Sequence, residues 1–401
     1  MSKKIKPKSE LQGLTHLIMD ANLGVTDLVE KMHHQVVHPP FLPSTPIQNI
    51  ITGIAGVTFK SVKWSTKLIG TSISKILEHV TPVIGNIKSS DTKQIILSIL
   101  NGVIGDYLEE TENPLKIDMQ FRYQSKVLQI DQESLKENYP NCTGKILLMI
   151  HGSCMSDLQW TRKNHNHAEI LSEELKKTPI YLNYNSGKNI SANGKNLTEN
   201  LEKLVENWPV PVEEITIIAH SMGGLITRSA LYYGEQNQNN WLKHIKKVAF
   251  LGTPHHGSPV ERIGNYLDLV LASVPYLKPF AKLGKIRSAG VTDLRYGNLV
   301  DEDWLNMDRF KLKKDKRQHI PLPTGIEFYS IAAVIGKETS KSKNQILGDT
   351  LVDIKSAFGE HKNPDKNLLF KKEHTWIAFE NNHLDLLSNP KITDKLKDWL
   401  V

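Results

Sequence analysis

Apolar residues in this chain follow one spacing up to about residue 115 and another after it. The first part is helical in period. Leu14, Leu17, Ile18 and Ala21 recur every three or four positions, and Val25, Leu28, Val29 and Met32 continue the stripe. The run His38-Pro39-Pro40-Phe41-Leu42-Pro43-Ser44-Thr45-Pro46 is a hard break, since clustered prolines cannot sit in a helix. A second amphipathic pattern runs from Ile50 to Val80, with Ile54, Val57, Val62, Leu68, Ile69, Ile73, Ile76 and Leu77 on one face and Lys60, Lys63, Lys67 and Lys75 on the other. A third runs from Asp91 to Leu108 and opens with Ser90-Asp91 as an N-cap. Residues 1–115 are therefore expected to be an N-terminal helical extension. Packing on the neighbouring domain is the common use of such faces, and a lid or membrane-contacting region is the sharper alternative.

From Met119 the texture changes. Phe121-Arg122-Tyr123-Gln124 and Val127-Leu128-Gln129-Ile130 predict a hairpin or an edge strand. Short apolar runs then predict strands at Ile146–Ile150, Ile180–Tyr184, Ile215–Ala219, Lys247–Leu251, Ile326–Ala332 and His374–Phe379. Between them the spacing predicts helices at Ala168–Lys177 and Leu197–Trp208, one after Ser221, and a last one at Pro390–Leu400. Strands alternating with helices imply a mainly parallel central sheet with helices on both faces, over residues 116–401. The interval of about 258–324 is too long for a simple loop, and Ile263, Tyr266, Leu267, Val270 and Leu271 keep helical spacing within it.

Composition narrows the classes. The 401 residues are 39% hydrophobic and 23% charged, a soluble globular balance and not a disordered one. The net charge of +7 is scattered and not gathered into one face, which argues against a nucleic-acid partner. Cys142 and Cys154 flank a strand that holds its ends roughly 20 Å apart, beyond disulfide reach. No apolar run suits a secretory signal or approaches the ~20 residues of a membrane span. A cytoplasmic protein, with at most peripheral membrane contact, is the expectation. No protein partner is inferable.

The chemistry centres on Ile215–Arg228, ITIIAHSMGGLITR. An apolar strand runs into His220-Ser221-Met222-Gly223-Gly224 and then into a helix. A serine held between a strand end and a helix start matches the nucleophile elbow of α/β-hydrolases, here as A-x-S-x-G with Ala219 in place of the usual first glycine. Such a serine needs a base, and the base needs an orienting carboxylate. Of the downstream histidines, His383 is preferred, because Asn381-Asn382-His383 lies after the last strand and before the last helix. The preferred acid is Asp349, in Gly348-Asp349-Thr350-Leu351-Val352, with Asp353, Asp301 and Asp303 as alternatives. The expected oxyanion-hole donors are the amides of Met222 and Ser153, the latter in the loop His151-Gly152-Ser153-Cys154-Met155. Cys154 and Met155 are expected to line the pocket.

His151-Gly152, Ala219–Gly224, Leu251-Gly252-Thr253-Pro254-His255-His256-Gly257-Ser258-Pro259, Gly348–Val352 and Asn382-His383 occur in one order. Together they resemble the lipase and esterase branch of the α/β-hydrolase superfamily, and within it the GPI-inositol-deacylase-like hydrolases and bacterial triacylglycerol lipases. The resemblance covers about residues 140 to 400. It implies an α/β-hydrolase fold with a cap inserted at about 258–324 as a lid. It also implies ester hydrolysis through an acyl-enzyme by Ser221, Asp349 and His383, on a small-molecule or lipid ester. A thioesterase, amidase or phospholipase would use the same machinery, and a non-catalytic binding module is the alternative of another class. Thr350 stands where the family often has glycine, which leaves Asp349 and Asp353 both open as the acid. No cofactor is implied. His151, His220, His255 and His256 show no metal-ligand spacing, so no metal is expected.

Overall fold

The computed structural model describes residues 90–258, 287–307, 309, 315–338 and 348–401. The helical patterns expected at 14–32 and 50–80, and the spacing at 263–271, lie outside the described residues. Helix α1 is Ser90–Glu110. Strands β1 (Gln120–Tyr123) and β2 (Lys126–Val127) form the expected hairpin, followed by helix α2, Gln132–Asn138. Then come β3 (Lys145–Ile150), α3 (His167–Leu175), β4 (Thr178–Asn183), α4 (Ile190–Asn207), β5 (Glu214–His220), α5 (Met222–Gln236) and β6 (Ile245–Leu251). A short α6 (Ala289–Asp293) precedes β7 (Glu327–Val334), α7 (Ile354–Ala357), β8 (Thr375–Phe379) and α8 (Pro390–Leu400).

The eight strands form one sheet in the order β2-β1-β4-β3-β5-β6-β7-β8. β1 is antiparallel to both its neighbours, and β4 through β8 are parallel. This is the mainly parallel sheet of the α/β-hydrolase fold. The alternation of each strand divides the core in two. Ile146, Leu148 and Ile150 of β3 and Ile215, Ile217 and Ala219 of β5 join the cluster under α4 and α5. Leu147, Met149 and Ile218 join the opposite cluster, under α3 and α8. From β3 the chain goes outward to β4 and then returns to the other side as β5. Ligands of open parallel sheets bind where the order reverses in this way, at the carboxyl ends of the strands.

Helix α4 starts at Ile190, a full two turns before the apolar stripe from Leu197 that predicts it. Its early turns are anchored by polar and small residues. Asn193 Nδ2 donates to Asn185 O, and Gly194 lies against Ser229 on α5. Period alone is blind to burial of that kind.

Helix α1 is closely docked on the sheet domain. Gln94 Nε2 donates to Asp157 Oδ1, Asn185 Nδ2 donates to Gly105 O, and Asn101 bridges to Leu115 O and Ile117 N. Residues 288 and 289, in the 258–324 interval, pack on the same helix, through Ser288 Oγ to Gly102 O and Ala289 N to Asp106 Oδ2. Among the described residues no helix is long and apolar enough to cross a membrane.

Candidate active site

Strand β5 hands directly to α5 through one residue, Ser221. Its backbone is held at φ 54°, ψ −124°, a region in which a side chain is strained. The turn is anchored from β6, since Ser221 N donates to Leu251 O at 2.8 Å. The next amide, Met222, begins a helix of 15 residues, so it points from the positive end of the helix dipole.

Three other segments converge on this point. The loop after β3 reaches it through Gly152, where a Cβ would come within 3.0 Å of Ser221 Cβ and 2.9 Å of His220 Nδ1. Gly152 is therefore fixed by close approach. The segment after β7 brings Asp349, and the segment after β8 brings His383. His383 Nδ1 and Asp349 Oδ2 are 2.5 Å apart. The other carboxylate oxygen of Asp349 accepts from Leu351 N at 3.0 Å and Val352 N at 2.8 Å. With Oδ2 also on His383, the carboxylate has no rotational freedom left. Relative exposures of 1% for Ser221, 1% for Asp349 and 4% for His383 put all three out of bulk water. In such surroundings a charge-assisted contact is worth more than at the surface.

The His383 ring lies beside Gly252, whose φ is +61° and where a Cβ would meet His383 Cε1 at 3.0 Å. Because Asp349 holds Nδ1–H, Nε2 is the basic nitrogen, and it is buried with no hydrogen-bond partner among the described residues. His220 packs on His383 at a ring separation of 4.7 Å, and its Nε2–H donates to the His383 carbonyl at 3.2 Å. Burial, and after it the neighbouring His383, pushes His220 well below the ordinary histidine value, so it stays neutral.

The two acids that the sequence leaves open sit in different places. Asp353 faces away to cap α7, with Oδ1 accepting from Ser356 N at 2.6 Å. Asp301 pairs with Lys195, and Asp303 accepts from Leu299 N. Thr350 holds φ 82°, so it keeps a glycine-favouring conformation without being glycine.

Ser153 is buried beside Cys154, whose own amide is taken by Ser186 Oγ at 2.9 Å. Ser186 sits in a polar loop and carries no sequence signal for this role. Burial raises the Cys154 thiol to about 12, which removes it as a thiolate nucleophile. Cys154 packs on Gly102 of α1, and Met155 joins the core cluster with Met149, Trp160 and Ile218.

His256, His255 and His151 each sit in a different setting. Arg317 Nη2 donates to His256 Nδ1 at 2.7 Å, so His256 Nε2 carries the proton given to Gly359 O. His255 is buried edge-on to Phe250. His151 stacks on Tyr184 at 4.2 Å. Among the described residues no group of three or more metal-ligating side chains occurs. Cys142 and Cys154 are both free thiols. A cavity of about 590 Å³ opens between α1, Asn189, Ala289, Arg295, Trp304 and Arg317, but Ser221, Asp349 and His383 do not line it.

Residues 141–331 match the family model described as a PGAP1-like alpha/beta domain. That span carries Ser153 and Ser221 and stops before Asp349 and His383. No curated protein sequence matches the chain. Similar solved structures include the lipase BlEst2 of Bacillus licheniformis in mature form, at 16% identity and TM-score 0.42, covering 64% of this chain and 92% of that one. The esterase Pf2001 of Pyrococcus furiosus is 15% identical with TM-score 0.36, covering 64% and 81%. Lipase B of Aspergillus fumigatus is 11% identical with TM-score 0.39, covering 81% and 79%.

Proposed function

We propose that this protein is a serine hydrolase that cleaves carboxylic esters through an acyl-enzyme. The observation that carries the proposal is the Asp349–His383 contact of 2.5 Å, buried at the carboxyl edge of the sheet together with the strained Ser221 turn. The match of residues 141–331 to an alpha/beta domain family supports the same reading.

Each group has one role. Ser221 Oγ attacks the ester carbonyl while His383 Nε2 takes its proton. His383 then gives that proton to the leaving alcohol, and a water enters by the same route in reverse to release the acid. Asp349 holds Nδ1–H and stabilises the imidazolium that forms. The amides of Met222 and Ser153 receive the oxyanion. Cys154 and Met155 shape the loop that presents Ser153. The lipidic character of the acyl group rests on the resemblance of Gly252–Pro259 to the lipase and esterase branch.

Labelling with a fluorophosphonate probe tests the reading. Wild type is expected to label, and Ser221→Ala is not. A wild-type protein that neither labels nor hydrolyses a p-nitrophenyl ester series would sink the hydrolase reading. The order of acyl lengths in that series tests the lipidic part.

A further inference from the structure

The reaction above makes no use of His165, His167 or Thr393, yet these side chains form one chain that starts at the partly buried His165 and ends on the loop of His383. His167 Nε2 lies 2.9 Å from Leu386 O, and His167 Nδ1 lies 2.7 Å from Thr393 Oγ1. Thr393 Oγ1 also lies 2.7 Å from His165 Nε2. The Leu386 carbonyl sets the order of the donors. A carbonyl only accepts, so His167 Nε2 carries the proton and its Nδ1 is an acceptor. The single hydroxyl proton of Thr393 goes to that Nδ1. Thr393 Oγ1 then accepts from His165 Nε2–H at the shorter distance, and the same nitrogen lies 3.2 Å from His167 Nδ1. His167 and Leu386 are fully buried, and Thr393 is nearly so.

Leu386 follows His383 by three residues, and both lie against the same point. A Cβ at Gly252 would meet Leu386 Cδ1 at 2.7 Å and His383 Cε1 at 3.0 Å. The 163–167 turn grips the loop a second time, through Lys163 Nζ to Asp385 Oδ1 at 2.8 Å. The turn is itself rigid: Lys163 and Asn164 hold positive φ, and Arg162 and His165 exchange backbone hydrogen bonds at 3.0 Å.

We propose that His167, oriented by Thr393 and His165, is a positioning residue for His383. It fixes the height of the loop, and with it the imidazole that meets Asp349 on one side and packs on His220, next to Ser221, on the other. The proposal rests on the hydrolase reading for its kinetic consequence. A displacement of the reacting groups by an ångström can cost about a hundredfold in rate, so a partial loosening of this chain should be visible in turnover.

Two measurements test it. Thr393→Val keeps shape and removes the hydroxyl, and is expected to lower kcat and the fluorophosphonate labelling rate about tenfold with little change in KM. Thr393→Ser should restore both. The second measurement is independent of activity. The His383 Nδ1–H proton, short-bonded to Asp349, should give a far-downfield proton resonance that vanishes in His383→Ala and shifts in Thr393→Val. If Thr393→Val fails to fold, His165→Ala at the half-exposed end of the chain should shift the same resonance. Wild-type labelling rate and an unshifted resonance in these variants would overturn the proposal. An inactive wild type that still shows the resonance shift would instead count against the hydrolase reading alone.

Discussion

Asp349 and Asp353 stand four residues apart in the sequence, and only their surroundings separate them. Asp349 gives one oxygen to two backbone amides and the other to His383. Asp353 caps a helix of four residues. Asp349→Asn should lower kcat by about a thousandfold or more, because an amide disfavours the tautomer that leaves Nε2 basic. Asp353→Asn should leave kcat near wild type and lose at most about 1 kcal/mol of stability, the worth of an N-cap. Equal losses of kcat in the two variants would remove the distinction. The serine was legible because its strand and turn are local. The carboxylate that contacts His383 was legible only as one of several, Asp349, Asp353, Asp301 and Asp303, because what selects it is a contact across 34 positions.

At the scale of elements, α1 is the part that its sequence describes least well. Its stripe of apolar residues predicts a helix and says nothing of what lies beneath it. In the structure it crosses the loop of Ser153, with Gly102 seated on Cys154 and a kink at Ile104, where φ is −133° and ψ is 22°. A Cβ at Gly102 would overlap Cys154 Sγ and come within 2.9 Å of Cys154 Cα. Gly102→Ala should therefore destabilise by about 1–3 kcal/mol, the usual cost of overpacking, and lower kcat by moving the Ser153 amide. Cys154→Gly in the same chain should recover part of both losses, since the two residues are in contact and Cys154 already holds φ 60°. Additive losses in melting temperature and kcat would show that α1 does not back this loop. The same packing means that deletion of the N-terminal segment has to stop before Ser90.

For the molecule as a whole, the buried histidines set the response to acid. Burial pushes His151 and His167 to about 4, and burial followed by Arg317 pushes His256 to about 3. Each of these folded-state values lies below the unfolded one, so the unfolded chain binds protons first as pH falls. Stability is whole above about pH 6.5 and is lost as pH falls from there towards 4. His151 and His167 would each cost about 3 kcal/mol by pH 4. Asp293 works the other way. Burial raises it to about 6, so its share is largest below about pH 4 and fades as pH rises to 6. Burial raises Asp157 as well, but the lowered histidines, His220 and His255 among them, outnumber these two aspartates and give a net loss. Thermal midpoints measured from pH 7.5 to 4.5 should fall steadily below 6.5, and a flat or rising profile would contradict the assignment of neutral buried histidines.

The strand–helix alternation, the strand–turn–helix at Ser221 and the order of the candidate residues can all be read along the chain. These are properties of short runs, written in apolar period, turn chemistry and spacing. Which carboxylate reaches His383, that Ser186 holds the Cys154 amide, that α1 backs the Ser153 loop, and that His165, Thr393 and His167 reach the loop after His383 follow from the folded chain alone. The reason is physical. Each of those depends on side chains from separate strands and helices meeting at the carboxyl edge of the sheet. Periodicity along the chain carries no information about distances across it.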